Sequence, residues 1–184
     1  MKIYLGIDTA TTFLSLSLWS PEKGRLAYRS PNVGRCHTKR FITELTGLFN
    51  DANIEAKALT GIGVGVGPGS YTGLRVGIAA AQGIARGLDV PLAGCDTLAA
   101  LAASGLREDG KAFAILNAHR GNVYTGLYEK SEGVIITLQQ PSKISLTEFT
   151  KVGTSHPIID SVPPDTSYIA SRVSDGSPVE PLYL

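Results

Sequence analysis

Charge is scarce in this chain. Of its 184 residues 18% are charged, and 17 Lys and Arg set against 16 Asp and Glu leave a formal net charge of +1 at pH 7. A molecule so nearly neutral has no global field to draw in a polyanion, which excludes a nucleic-acid binder working alone and confines any RNA contact to a local patch. Cysteine is scarcer still: Cys36 and Cys95 have no partner motif and no metal-ligand spacing, and read as ordinary reduced thiols. Long apolar runs are missing too, so no stretch is suited to span a bilayer. From Met1 the chain passes into a strand-like segment containing Asp8, without the basic region, apolar run and cleavage site of a signal peptide. The expectation is a cytoplasmic protein with no membrane partner. At 43% hydrophobic, the sequence can bury a real core as one large domain or two small ones.

Groupings that announce catalysis are also missing. His37, His119 and His156 stand far apart, and none forms an HExxH or HxxxH pair that would present two imidazoles from one helical face. That disfavours a metalloprotease. His37 reads as a polar residue at a helix start, and Arg75 and Arg86 as solvated helix charges. Ser70 lies in Gly69-Ser70-Tyr71 and lacks the G-x-S-x-G elbow of a nucleophilic serine. A nucleotide P-loop needs Lys and then Ser or Thr after its last glycine, whereas Gly73 is followed by Leu74 and Arg75. The G-x-G-x-x-G dinucleotide spacing is absent before this helix as well.

What the chain does have is patterned glycine. Ile62, Val64 and Val66 alternate with Gly61, Gly63, Gly65 and Gly67, so a strand here shows apolar side chains on one face and bare backbone on the other. The turn that follows, Gly67-Pro68-Gly69-Ser70-Tyr71-Thr72-Gly73-Leu74-Arg75, leads into a helix on which Gly73, Gly77, Ala81 and Ala85 recur every fourth residue. The expectation is that this small-faced helix lies close against the glycine face of the sheet. Ser70 and Thr72 are candidate N-caps, and the helix start could hold an anion or serve only as a packing joint, the second being favoured.

Strands are expected over Lys2 to Asp8, Phe13 to Ser20 and Arg25 to Arg29. An amphipathic helix over Thr38 to Asp51 follows, carrying Phe41, Ile42, Leu45, Leu48 and Phe49 at helical spacing. The glycine-striped strand, the helix from about Thr72 to Gly87, a strand near Val90 to Ala93 and an alanine-rich helix near Thr97 to Ser104 complete the order βββαβαβα. A shift of 109 positions then lays Ile7-Asp8 on Leu116-Asn117, Leu14 on Val123, Leu18-Trp19 on Leu127-Tyr128 and Gly24 on Gly133. The second half is shorter, with a strand near Val134 to Gln139, a helix near Leu146 to Lys151, a strand near Pro157 to Ile159 and a Pro/Ser-rich tail.

Two such units suggest an α/β fold of the actin-like ATPase (ASKHA) architecture. It would comprise a first unit over residues 1–105, which carries the helices, and a reduced second βββαβαβα-type unit with the C-terminal tail over residues 106–184. In that architecture the first hairpin of each half grips phosphate and a hydrated cation. Asp8, Thr9, Thr11 and Thr12 have suitable chemistry for that task. Their counterpart is Asn117-Ala118-His119-Arg120-Gly121, where an amide replaces the second carboxylate and one of the two charges that would hold a metal is missing.

The hairpin Ile7-Asp8-Thr9-Ala10-Thr11, the segment from Gly67 to Gly77, the segment Asn117 to Tyr124 and the end Pro181-Leu182-Tyr183-Leu184 together resemble the TsaB (YeaZ) family over nearly the full chain. Against the family's GPGSFTGLRIG the only changes are Tyr71 for Phe and Val76 for Ile. Departures are Asn117 for an aspartate, His119 before Arg120, a missing terminal arginine and a short second domain. The resemblance implies no catalytic residue and no metal or other cofactor held by this chain alone. It implies a scaffold for the actin-like subunit TsaD, which transfers threonylcarbamoyl to the adenosine beside the tRNA anticodon, with ATP and a metal in the partner subunits. The small ATPase TsaE joins the assembly, tRNA is reached through the complex, and the isolated chain forms a homodimer. The implied partner face uses Phe41, Leu45, Leu48 and Phe49 of one helix and Leu74, Ile78, Gln82 and Ala85 of the other, although such side chains can equally cover their own sheet. The alternative left open is an actin-like small-molecule kinase or ATPase acting as a homodimer, supported by Asp8 and opposed by Asn117; a peptidase activity is disfavoured.

Overall fold

The computed structural model describes residues 1–151 and 155–184. Strands β1 (Tyr4–Asp8), β2 (Ser15–Ser20) and β3 (Gly24–Arg29) form an antiparallel meander, followed by helix α1 (His37–Ala52). Then come β4 (Gly61–Gly67), α2 (Tyr71–Leu88), β5 (Leu92–Asp96) and α3 (Thr97–Gly105), so the expected βββαβαβα order is observed. These strands make one sheet in the order β3-β2-β1-β4-β5, with β4 and β5 parallel to β1 as helical crossovers require. The chain continues through β6 (Gly110–Asn117), β7 (Asn122–Ser131), β8 (Val134–Ser145), α4 (Leu146–Lys151), β9 (Ile158–Ile159) and α5 (Thr166–Ser171). Its second sheet has the order β8-β7-β6-β9.

Register explains the main core. Leu5 lies between Leu18 and Ile62, and Ile7 between Leu16 and Val64, which puts the apolar residues of three strands on one face. Helices α1 and α2 close that face with Phe41, Leu48, Leu74, Ile78, Ala81 and Ala85, all buried. Ion pairs hold α1 in place: Arg29 of β3 reaches Asp51 at 2.7 Å and Glu44 at 3.2 Å, and Arg40 reaches Glu44 at 2.5 Å. The Arg40 and Arg29 guanidiniums keep the buried Glu44 carboxyl below its ordinary range.

The opposite face of this sheet corrects the expectation about the glycines. It is covered by α5 and the residues after it, while α2 lies on the apolar face. A β-carbon on Gly6 would stand 1.9 Å from the carbonyl oxygen of Thr166 and one on Gly63 2.4 Å from that of Ile169. Two neighbouring strands therefore carry glycine on this face where the returning main chain touches them. Arg25 of β3 fastens the start of α5, donating to Ser167 Oγ and Asp165 Oδ1 at 2.7 Å each. Asp165 in turn caps α5 by accepting from the Ser167 amide at 2.8 Å. The segment read from sequence as a Pro/Ser-rich tail thus contains a helix and half-covers the first sheet.

Candidate functional site

The hairpin between β1 and β2 and the hairpin between β6 and β7 border a cleft of about 1210 Å³. Thr11, Thr12, Arg35, Ser70 and Thr72 line it from the first half, and Asn117, His119, Arg120, Tyr124 and Val162 from the second. Asp8 ends β1 and Asn117 ends β6, so both hairpins begin at matching places in their sheets.

Asp8 does not face this cleft. Its side chain is buried beneath the hairpin, where Oδ1 accepts from the Ala10 amide at 2.9 Å and Oδ2 from the Thr97 hydroxyl at 2.8 Å. Burial pushes its pKa up to about 6, against the opposing pull of the Thr97 and Ala10 hydrogen bonds, with the nearby Asp96 adding to the rise. Gly65 is required beside it, since a β-carbon there would lie 2.0 Å from Asp8 Oδ2. Thr9 is similarly committed, donating to the Gly73 carbonyl at 2.7 Å. Of the four hairpin residues expected to bind phosphate and a cation, Thr11 and Thr12 line the cleft and Asp8 and Thr9 do not. Across the cleft the Asn117 amide oxygen accepts from the His119 amide at 2.7 Å, at the head of a turn in which His119, Arg120 and Gly121 all have positive φ.

The glycine-rich motif has a definite task, which is to seat the first hairpin on α2. The Ser70 amide donates to the Ala10 carbonyl at 2.7 Å. A β-carbon on Gly69 would meet that carbonyl oxygen at 2.4 Å, one on Gly73 the Thr9 carbonyl at 2.0 Å, and one on Gly77 the Thr9 hydroxyl at 2.3 Å. Gly67 and Pro68 are joined by a cis peptide. Ser70 is the N-cap expected of it, accepting from the Gly73 amide at 3.1 Å. Replacing it with Ala should lower stability by about 1 kcal/mol, the ordinary cost of a lost cap, as read by denaturant titration. Tyr71 is exposed, with the Arg75 guanidinium 4.5 Å from its ring centre and the Tyr183 ring at 5.2 Å. Arg75 is therefore stacked on an aromatic ring, where the sequence suggested plain solvation.

A second carboxylate, half-buried, escaped sequence reasoning. Asp96 caps α3, accepting from the Leu98 amide at 2.8 Å, and accepts a hydrogen bond from the Tyr128 hydroxyl of β7. It links the first sheet to the second. Desolvation pushes its pKa up to about 6, and burial, followed by the adjoining carboxylate, drives the Tyr128 phenol well above its ordinary value. The readable signal was an Asp directly ahead of an alanine-rich helical run. Tyr128→Phe should cost about 2 kcal/mol, because it leaves the half-buried Asp96 charge one donor short; the measurement is thermal unfolding near neutral pH.

Of the residues expected to face a partner, Phe41, Leu48, Leu74, Ile78 and Ala85 are buried in this chain's own core. That expectation is corrected for these five: an amphipathic helix buries its apolar stripe on its own sheet first. Leu45 and Phe49 are half-buried and Gln82 is exposed. Ile42, which has 68% of its surface exposed, lies on the same outward side of α1 as Leu45 and Phe49. Among the described residues no group of three or more His, Cys, Asp or Glu side chains could hold a metal ion. No described helix is long and apolar enough to cross a membrane.

The strand orders and the paired hairpins define a two-sheet α/β protein in which Asp8 and Thr9 of the first hairpin are occupied in holding the fold. The family described as "TsaD: tRNA N6-adenosine threonylcarbamoyltransferase" matches residues 31–173, and the chain belongs to that family. It is 33% identical over 148 residues to the tRNA threonylcarbamoyladenosine biosynthesis protein TsaB of Bacillus subtilis, covering 80% of this chain and 64% of that one. To the Escherichia coli protein of the same name it is 33% identical over 133 residues, covering 71% of this chain and 57% of that one. The chain thus spans about three fifths of the curated relatives it matches. The structure of YeaZ from Pseudomonas aeruginosa superposes with a TM-score of 0.87 at 22% identity, covering 100% of both chains, and shares the fold.

Proposed function

We propose that this chain is a non-catalytic scaffold that supports TsaD in threonylcarbamoyl transfer to the adenosine beside the tRNA anticodon. The observation that carries this reading is the fate of the first hairpin: Asp8 is 0% exposed with both oxygens hydrogen-bonded inside the fold, and its counterpart is the neutral Asn117. A site that hydrolyses nucleotide with a metal needs carboxylates that reach the metal. The relatives named TsaB supply the process. ATP and metal are then handled by TsaD and TsaE, tRNA is met through the complex, and the protein works in the cytoplasm.

On this reading the chain is two actin-like units, residues 1–105 and a reduced 106–184, with the last residues returned to the first sheet. The partner face is the outward side of α1 and α2. It comprises Ile42, Leu45 and Phe49 beside Gln82 and the side-chain-poor surface at Ala79, Gly83 and Gly87, and it also joins two copies when the chain is alone. Ile78→Glu is no test, because Ile78 is core. Ile42→Glu leaves the core intact and should shift the isolated chain from dimer to monomer in sedimentation while weakening co-purification with TsaD. Unchanged sedimentation and unchanged co-purification would remove this face from the account.

A further inference from the structure

The chain ties the two walls of its own cleft together at the rim, a feature that goes beyond the scaffold reading. After α5, which lies on the glycine face of the first sheet, residues 177–184 pass around the edge strand β5 to the opposite side, where Val179 packs against the main core. The Gly94 amide of β5 donates to the Ser177 carbonyl at 3.0 Å, and the Leu182 amide donates to the Val66 carbonyl of β4 at 2.7 Å. Glycines make room for the passage. A β-carbon on Gly94 would stand 2.3 Å from the Pro178 carbonyl oxygen, and one on Gly67 3.1 Å from that of Leu182. Beyond these anchors the Tyr183 ring lies 5.2 Å from that of Tyr71 at the start of α2, and the Leu184 carbonyl accepts from Lys143 Nζ of β8 at 3.4 Å. The Lys143 ammonium in turn stands 5.8 Å from the centre of the Tyr124 ring. Tyr71 and Tyr124 line the cleft from opposite halves, so two consecutive residues of one segment link its walls.

The two halves are held together in two unlike ways. Outside the cleft lining they meet around α3, where Asp96 accepts from the Tyr128 hydroxyl and Lys130 of β7 donates to the Leu106 carbonyl at 2.8 Å. Tyr128 is fully buried there. At the rim, by contrast, Tyr71 and Tyr183 each keep 53% of their surface exposed, so the joint is a pair of solvated rings beside one long hydrogen bond. Contacts in water contribute little to folding, yet they bias an opening whose two states differ little in free energy. We infer that residues 177–184 are a strap whose clasp, Tyr183 and Leu184, holds the cleft closed at its rim while the α3 junction serves as the hinge. Release of the clasp leaves the rest of the strap in place, because Val179 and the Leu182 amide belong to the first sheet.

Distance measurement between spin labels on the full chain tests this. Cys36 is exposed next to the cleft residue Arg35, Cys95 is buried, and Arg120→Cys supplies a second label on the facing hairpin, so one spin pair spans the cleft. Dilution with unlabelled protein restricts the reading to pairs within one chain. On that background Tyr183→Ala and Lys143→Ala should each broaden the distance distribution and shift it to longer values. Tyr183→Phe, which keeps the ring, and Glu180→Ala, an exposed strap residue outside the clasp, should leave it unchanged. The Leu182 amide should stay protected from hydrogen exchange in every variant, since its bond to Val66 is part of the anchor. Unchanged distributions in both Tyr183→Ala and Lys143→Ala, a shift in Glu180→Ala as large as that in Tyr183→Ala, or Leu182 protection lost together with the shift would each overturn the inference. None of these results bears on co-purification with TsaD, so the two proposals fail separately.

Discussion

Placing a single methyl group on Gly6 or Gly63 should strip α5 from the first sheet. A β-carbon at these positions would stand 1.9 Å from the Thr166 carbonyl oxygen and 2.4 Å from that of Ile169. Both obstacles are main-chain atoms, which cannot rotate aside as a side chain can. The whole segment must move, and moving it uncovers Ile169 and Ala170, both buried, and strains the Arg25 links to Asp165 and Ser167. We expect Gly6→Ala and Gly63→Ala each to cost about 3 kcal/mol, at the upper end of ordinary overpacking. Limited proteolysis should then cut near residues 160–166 long before the first sheet unfolds. Gly83→Ala is the control: nothing lies within 4 Å of its would-be β-carbon, so it should be neutral or slightly stabilising. A Gly6→Ala protein as stable and as protease-resistant as the parent would mean that the C-terminal segment does not sit on the glycine face.

The protein should grow less stable as pH rises through 6. Asp8 and Asp96 both have folded pKa values raised from 3.8 to about 6 by burial. Between those values the folded state holds protons that the unfolded chain has released. Their contribution to stability is therefore complete below the unfolded value and is lost as pH climbs through the folded one. A shift of this size corresponds to about 3 kcal/mol for each carboxylate. Glu44 has the opposite sign: its pKa is lowered by Arg40 and Arg29, so its contribution is present above its unfolded value and fades on acidification. The two Asp contributions start to be lost from about pH 4 upward and outweigh the single Glu44 contribution, so the maximum melting temperature lies near about pH 4. Asp8→Asn keeps an acceptor for the Ala10 amide and removes the charge, so its stability relative to the parent should improve by about 3 kcal/mol between about pH 4 and about pH 8. Parallel pH profiles for parent and variant would show that Asp8 ionises as freely in the fold as in water.

Local patterns made the first half legible. The alternation in β1, β2 and β4 and the helical spacing from Phe41 to Phe49 lie within single elements, and the order βββαβαβα followed from them. Helix α5 was missed because six residues make too short a run for a helical period, and Pro163 and Pro164 ahead of it read as tail. Its cue was Asp165, a capping residue directly before Thr166. The glycines announced that something approaches closely without saying what: for Gly63 it is a carbonyl 106 residues on, and for Gly73 it is Thr9. Asp8 and Thr97 are 89 positions apart, so a hydrogen bond that withdraws the carboxylate from the cleft has no signature in either neighbourhood. The partner face was misjudged in part for a related reason. Helical spacing identifies an apolar stripe, but whether that stripe meets its own sheet or a second protein is decided by tertiary packing.

Reconstituted tRNA modification tests the central claim most directly. Purified chain, TsaD, TsaE, ATP, magnesium, an activated threonylcarbamoyl donor and unmodified tRNA are combined, and threonylcarbamoyladenosine is measured with each protein omitted in turn. The account predicts no product and no ATP turnover from this chain alone. It also predicts full product with all three proteins, and loss of product when the chain is left out or carries Ile42→Glu. Product formed equally well without it, or ATP turnover by the isolated chain that disappears in Asp8→Asn, would contradict the account.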